Sequence, residues 1–211
     1  RDPARIEVAK PATTAKTITQ RFCFCDSTED WAKREVLREL IRSLDVKNAI
    51  IFSNYKRDVA ILLKSLTKHG FNAGALHGDM DQLSRMQTLD KFRSGEITLL
   101  AASDVAARGL DIPDVSHVIN YDVPEHPEDY VHRIGRTGRA GRTGHSFTLA
   151  SPDEGGLVDA IEKLIGTEIP RVEVPGFETI AFEPSDGRRR GRGRGRGGRS
   201  EGGRGERGRG E

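Results

Sequence analysis

Two cysteines, one tryptophan and no apolar run of membrane length set the first limits on this 211-residue sequence. Cys23 and Cys25 stand as C-x-C within RFCFC, with no further cysteine to complete a metal set, so both are expected as buried thiols on a strand. A membrane helix needs roughly 20 consecutive apolar residues. Nothing approaches that, so no span, signal segment or membrane partner is expected, and the reading is a cytoplasmic chain. Aromatics are scarce at 6%. Most of the phenylalanines and tyrosines fall in apolar periodic segments, leaving few exposed faces on which a single-strand binder could stack bases. Trp31, at a helix start, is expected to pack beneath that helix. No nucleophile–base pair or metal set supports a small-ligand enzyme.

Charge is present in quantity but unevenly placed. From Gly187 to Glu211 the chain holds 11 Gly, 10 Arg, 3 Glu and 1 Ser, with no apolar residue to offset the entropy of ordering it. Residues 184–211 therefore read as a disordered arginine-glycine tail. Residues 1–186 carry 24 basic against 29 acidic side chains, so a mildly acidic body bears a basic appendage suited to a polyanion. Residues 1–17 are polar, include two prolines and read as a lead-in. Residues 18–183 are long enough for one domain with its own core.

Within that body, short β-branched runs alternate with amphipathic stretches. Strands are expected at 48–53, 72–76, 98–103, 117–121 and 145–150. Helices are expected over 31–44, with Val36, Leu37, Leu40, Ile41 and Leu44 on one face, over 59–70, and over 81–95, with Leu83, Met86, Leu89 and Phe92 inward. Gly70 and Gly95 suit left-handed helix ends. Such alternation predicts a mostly parallel sheet covered by helices on both faces, with function at the carboxyl ends of its strands. The segments SNYKRD, HGDMDQ and SDVAARGLD lie there.

One stretch is unusual. HRIGRTGRAGRTG, residues 132–144, repeats glycine at every third position. Collagen needs that period sustained with proline, so a solvated basic loop is the plain alternative. Gly135, Gly138 and Gly141 would allow tight turns after a helix over 128–134, presenting arginines on one side. Together with SDVAARGLDIP (103–113), this stretch resembles motifs VI and V of the DEAD-box RNA helicases. IIFSNYK (50–56) is similar to motif IV, and HGDMDQLSRMQTLDKFRSG (77–95) to the segments that follow it. With the tail included, the pattern resembles the bacterial RhlE type.

The resemblance covers the second RecA-like lobe of such an enzyme. It implies a RecA-like parallel sheet, ATP with Mg2+ as cofactor, and RNA and an N-terminal RecA-like lobe of the same protein as partners, with RNA-decay or ribosome-assembly machinery as further ones. No G-x-x-x-x-G-K-[ST] loop, D-E-A-D or S-A-T segment occurs in the chain, so phosphate cradling and magnesium ligation are expected from the other lobe, and this chain alone is expected to be inactive. Arg136 and Arg139 match the arginine-finger positions, where a planar guanidinium stabilises charge on the transferred phosphoryl group. Asp111 matches the ribose-contacting position. Arg108 and Gly109 shape its loop, and His132 matches a position linking the nucleotide site to its neighbours, with a packed histidine as the alternative. Asn54, Gly78, Asp79, Gln82, Arg85, Ser103 and Asp104 match RNA-contacting positions. Asp104 could also cap a helix. Arg142 lies outside the motif and reads as solvated or RNA-facing. The rival reading is a non-enzymatic RNA-binding module that relies on its tail.

Overall fold

The computed structural model describes residue 14 and residues 16–177. The first thirteen residues of the lead-in and the whole arginine-glycine tail lie outside that range. Seven strands form one parallel sheet: β1 (Ile18–Phe24), β2 (Ala49–Ser53), β3 (Ala73–Leu76), β4 (Leu99–Ser103), β5 (His117–Asn120), β6 (Gly144–Ala150) and β7 (Arg171–Val172), in the order β3-β4-β2-β5-β6-β1-β7. The helices are α1 (Asp30–Ser43), α2 (Lys56–Lys68), α3 (Gln82–Ser94), α4 (Asp104–Ala107), α5 (Pro127–Ile134) and α6 (Gly155–Ile165), with a 3-10 turn at Pro152–Glu154 before α6.

Strands buried on both faces should be near-continuously apolar, and AIIFS and LLAAS are apolar up to their final serines and buried throughout. The core divides accordingly. One cluster packs Val36, Leu37, Leu40 and Ile41 of α1 with Val59, Leu62 and Leu66 of α2 against Ile51, Ala101 and Leu149. On the opposite face α3 and α4 cover Ile50, Leu76 and Leu100, while α5 and α6 cover Phe22 and Ala150. Chains leaving β2 and its neighbours β4 and β5 thus turn to opposite faces. The crevice where they part is the place at which doubly wound sheets bind ligands.

The structure adds elements and corrects details. The strand expected around the cysteines runs over Ile18–Phe24, between β6 and β7, and both thiols are buried. Burial pushes Cys23 and Cys25 up to about 12. Strand β7 and helix α6 were not expected. Trp31 does not pack under α1, being 58% exposed, and Leu83 is 68% exposed while Leu89 and Phe92 alone hold α3 to the core as fully buried residues. Leu83 is in the first turn of α3, which follows a four-residue edge strand. Gly70 and Gly95 take the left-handed conformation at their helix ends.

Candidate functional site

The polar chemistry of the body is gathered at the carboxyl ends of β2, β4 and β5 and around α5. Helix α5 starts with Pro127 in its first turn, where a missing N–H costs nothing. Its buried face is Tyr130, Arg133 and Ile134. Arg133 is thus a cation on an apolar stripe, 2% exposed, and must be satisfied from within. Its Nε and Nη2 fork onto Asp104 at 2.7 and 2.6 Å, Nη2 also donates to Asn54 Oδ1 at 2.6 Å, and Nη1 donates to the Asp122 carbonyl at 2.9 Å. The guanidinium lies 5.4 Å above the Phe52 ring. One side chain therefore ties α5 to the ends of three strands.

Asp104 consequently does not cap a helix. Ser103 occupies the N-cap position of α4, and the Asp104 carboxylate is spent on Arg133. Asn54 is likewise engaged at both ends, its amide donating to the Val123 carbonyl at 3.0 Å. Arg133 was missed in the sequence, although Tyr130, Arg133 and Ile134 at helical spacing put a charge on the apolar face.

Beside this anchor opens a cavity of about 500 Å³, lined by Arg108, His132, Arg136 and Arg139 together with Asp104, Asp129 and Arg133. His132 is not packed: its side chain is exposed, with Nδ1 3.8 Å from Asp129. Arg136 reaches the carbonyls of Leu110 and Ala107 only at 3.4 Å, a length at which hydrogen bonds are weak. Arg139 donates through Nε to the Gly135 carbonyl at 2.7 Å. Among the described residues none of Arg108, Arg136 and Arg139 is in a side-chain ion pair with a carboxylate. Burial and the neighbouring Arg139 both lower the Arg136 pKa from its ordinary value. Guanidiniums gathered at one cavity without a paired carboxylate form a site for an added anion.

The loop carrying these arginines is shaped by its glycines, though not all in the same way. Gly135 has φ −64° and needs no special freedom. Gly138 has φ 69°, and a Cβ there would lie 2.7 Å from Ile18 Cγ1, so only glycine lets the loop dock against β1. Ala140 and Gly141 follow with φ 52° and 77°. Arg142 points away, 75% exposed and 3.9 Å from Asp114. Asp111 does not line the cavity. Its side chain is exposed, on the loop through Gly109, and Arg93 holds its carbonyl at 2.6 Å.

A second group stands across the β3–β4 edge. Asp81 caps α3 by accepting from the Ser84 amide at 2.8 Å, leaving Gln82 exposed on the first turn. Gly78 is exposed, and Asp79 pairs with Lys56 at 2.6 Å in the open. Arg85 donates to the Ala106 carbonyl at 2.9 Å. Its Nε and the Ser103 hydroxyl are buried without a hydrogen-bond partner among the described residues. Such groups are costly unless something completes them. No group of three or more metal-ligating side chains occurs among the described residues. No described helix is long and apolar enough to cross a membrane.

Residues 32–141 match the family model described as the helicase conserved C-terminal domain. The sequence is 40% identical over 183 residues to an ATP-dependent RNA helicase RhlB of Pseudomonas putida, covering 87% of this chain and 45% of that protein. The chain spans about half the length of the curated relatives it matches. Among solved structures it superposes on the E. coli DEAD-box protein SrmB bound to regulator of ribonuclease activity A, with TM-score 0.74 and 34% identity, covering 82% of this chain and all of that one. It also matches S. cerevisiae Dbp5 bound to RNA and ADP BeF3, with TM-score 0.71 and 35% identity, covering 77% of this chain and 43% of that one.

Proposed function

Because the chain belongs to the helicase conserved C-terminal domain family, as the C-terminal RecA-like lobe of a DEAD-box protein, we propose that in the intact protein it closes on an N-terminal lobe to complete an ATP site and to grip RNA, unwinding duplexes as ATP is hydrolysed. The observation that carries this reading is the cavity beside α5. It holds Arg108, Arg136 and Arg139, none of which is in a side-chain ion pair with a carboxylate among the described residues, at the edge where the sheet presents its ligands. The site fits a polyphosphate: Arg136 is already partly desolvated, and the bonds that hold it are long enough to be given up. Bound ATP with Mg2+ supplies the scissile phosphoanhydride, its metal ligands coming from the other lobe. This chain supplies orientation and charge.

Arg136 and Arg139 would present planar guanidiniums to the phosphoryl oxygens as negative charge spreads over them. Arg108 and His132 line the same cavity. Asp111, exposed on a loop held by Arg93, would accept from ribose hydroxyls when the lobes close. RNA would lie over the α3 end. There the Gly78 amide, Gln82, Arg85 and Ser103 would serve phosphate and ribose without reading bases. Asn54 and Asp104 would act on RNA through the geometry they share with Arg133, and Asp79 through its pairing with Lys56. The arginine-glycine tail supports assignment to the bacterial RhlE type. The partners proposed beyond RNA are RNA-decay or ribosome-assembly machinery, and the location is the cytoplasm.

The test is RNA-stimulated ATP hydrolysis by the intact protein beside that of this 211-residue chain. The intact protein should turn over ATP and the chain alone should not. Addition of the N-terminal lobe in trans should restore part of the rate. Robust hydrolysis by the chain alone would defeat the shared-site reading.

A further inference from the structure

Helix α1 carries a second cation on its apolar stripe. Lys33 stands among Ala32, Val36, Leu37 and Leu40, and its side chain is 5% exposed. Its ammonium is 2.9 Å from Glu154 Oε2 and 3.7 Å from Asp122 Oδ1, and sits 5.4 Å over the Tyr121 ring. Burial alone would lower its pKa. The two carboxylates outweigh burial and raise its pKa above the ordinary value, so it stays charged. Neither carboxylate is idle. Glu154 Oε2 also accepts from the Ser151 amide at 2.8 Å, closing the 3-10 turn that leads into α6. Asp122 Oδ2 accepts from the Ser53 hydroxyl at 2.6 Å and the Asn54 amide at 2.9 Å, fixing the end of β2.

From there the contacts run on without a gap. Asn54 Oδ1 and the Asp122 carbonyl both accept from Arg133. Arg133 grips Asp104, and one turn later α5 passes into Arg136 and Arg139. We propose that Lys33 is a positioning residue for the arginine site: by neutralising Asp122 and Glu154 at once, it fixes the β2 and β5 ends to which Arg133 is bonded, and so sets where the two arginines stand. The proposal rests on the nucleotide-site reading above. Lys33 lies on the opposite face of the sheet from α5, touches none of the cavity-lining residues and acts through Asp122.

Removing the ammonium while keeping the volume, as in Lys33→Met, leaves Asp122 facing Glu154, with Tyr121 and Cys25 adjoining from the strand ends and Asp58 from α2. Arg133 cannot take over, because it meets Asp122 only at the carbonyl and its fork is committed to Asp104. Two unneutralised carboxylates relax apart or take up a proton. The first course moves the β2 end and misplaces the arginines. The second restores the geometry. This gives the variant a pH signature that a plain loss of stability lacks.

The experiment uses the intact two-lobed protein, with ATP turnover at saturating ATP and RNA measured between pH 5.5 and 8.5, well below each variant's melting temperature. Lys33→Met should lower kcat about 10- to 100-fold at pH 8, the scale of a small misplacement of catalytic groups. The deficit relative to the parent should shrink as pH falls and a carboxylate protonates. Nucleotide-free RNA binding should fall far less than kcat, because of the RNA-facing residues only Asn54 and Asp104 are bonded to Arg133. Lys33→Met/Asp122→Asn, whose amide oxygen still accepts from Ser53 and Asn54, should recover turnover at pH 8 and flatten the pH dependence of the deficit. A variant with reduced melting temperature but parental kcat at every pH would make Lys33 a stability element only and overturn the proposal. An equal loss of turnover and RNA binding, with no recovery at low pH or in the double variant, would overturn it too. A parent that does not hydrolyse ATP would instead refute the shared-site reading.

Discussion

Replacing Arg133 with methionine tests the anchor on which the site is built. The substitution removes two bonds to Asp104, one to Asn54 and one to the Asp122 carbonyl, together with the contact to Phe52. Methionine fills much of the space, so cavity formation is small. What remains is Asp104, with 24% of its side chain exposed, facing a hole where its cation was. Breaking one partner of a buried pair costs about 3–5 kcal/mol. That is a large share of a typical domain's ~5–15 kcal/mol. At about 2–4 °C per kcal/mol for a domain of this size, melting should fall by roughly 6–20 °C. Arg133→Lys keeps a charge but can serve only one side of the fork, and should fall between the two. The assay is urea and thermal unfolding of this chain, with Asp104→Leu and the double variant completing a cycle. Because Arg133→Met/Asp104→Leu removes both charges, it should be more stable than the sum of the two single losses. A methionine variant within 1 kcal/mol of the parent, or strict additivity in the cycle, would refute the claim that this pair anchors α5.

The arginine loop predicts a graded result in the intact enzyme: Arg139→Lys and Arg136→Lys should cut ATP turnover steeply, toward the ~10³- to 10⁵-fold that arginine fingers contribute, while Arg142→Lys should be near neutral. Parental rates for all three would make the stretch a basic loop. Deleting residues 187–211 should weaken RNA binding by this chain and flatten its salt dependence, each lost phosphate contact removing a slope of about 0.7 on log–log axes. An unchanged affinity and slope would show that the tail does not carry it. Native Cys23 and Cys25, with burial pushing both up to about 12, should resist iodoacetamide at pH 8 and label only on unfolding. Their raised values also mean that they favour folding below pH 9, and that this contribution fades as pH climbs toward 12. His117, pushed down to about 4 by burial and His145, binds its proton more readily when unfolded, so stability should drop as pH falls from 6.5 to 4. His117→Gln should blunt that acid limb relative to the parent, and identical limbs would exclude His117 as a source.

Strands β2 to β6 were legible because buried parallel strands are short, β-branched and separated by helical periodicity, and the loops after them carry the polar residues. The exceptions have physical causes. Strand β7 is two residues long, below any periodic signal. Helix α6 opens on two glycines, which mask its start. Leu83 obeyed the period and still faces solvent, because periodicity names a face but not whether anything covers it. At the site, the motif arginines of the loop were visible as residues, whereas Arg133 and Lys33 were not singled out. Both were present as charges in the apolar stripe of an amphipathic helix, and their partners come from loops far away in sequence, which no local pattern connects.

The place of β1 has a bearing on how the chain is made. Ile18–Phe24 emerges first, yet its parallel partners are Gly144–Ala150 and Arg171–Val172, nearly the whole domain later. Helix α1 and strand β2 come out next, but neither pairs with it. During synthesis the strand ITQRFCF, apolar at Phe22, Cys23 and Phe24, must therefore wait without a ladder while most of the sheet assembles beside the vacancy it will fill. Closure comes late and joins the first strand of the sheet to its last two in a single step. A nascent chain stopped before Gly144 should accordingly leave β1 open to protease while the β3-β4-β2-β5 half is protected.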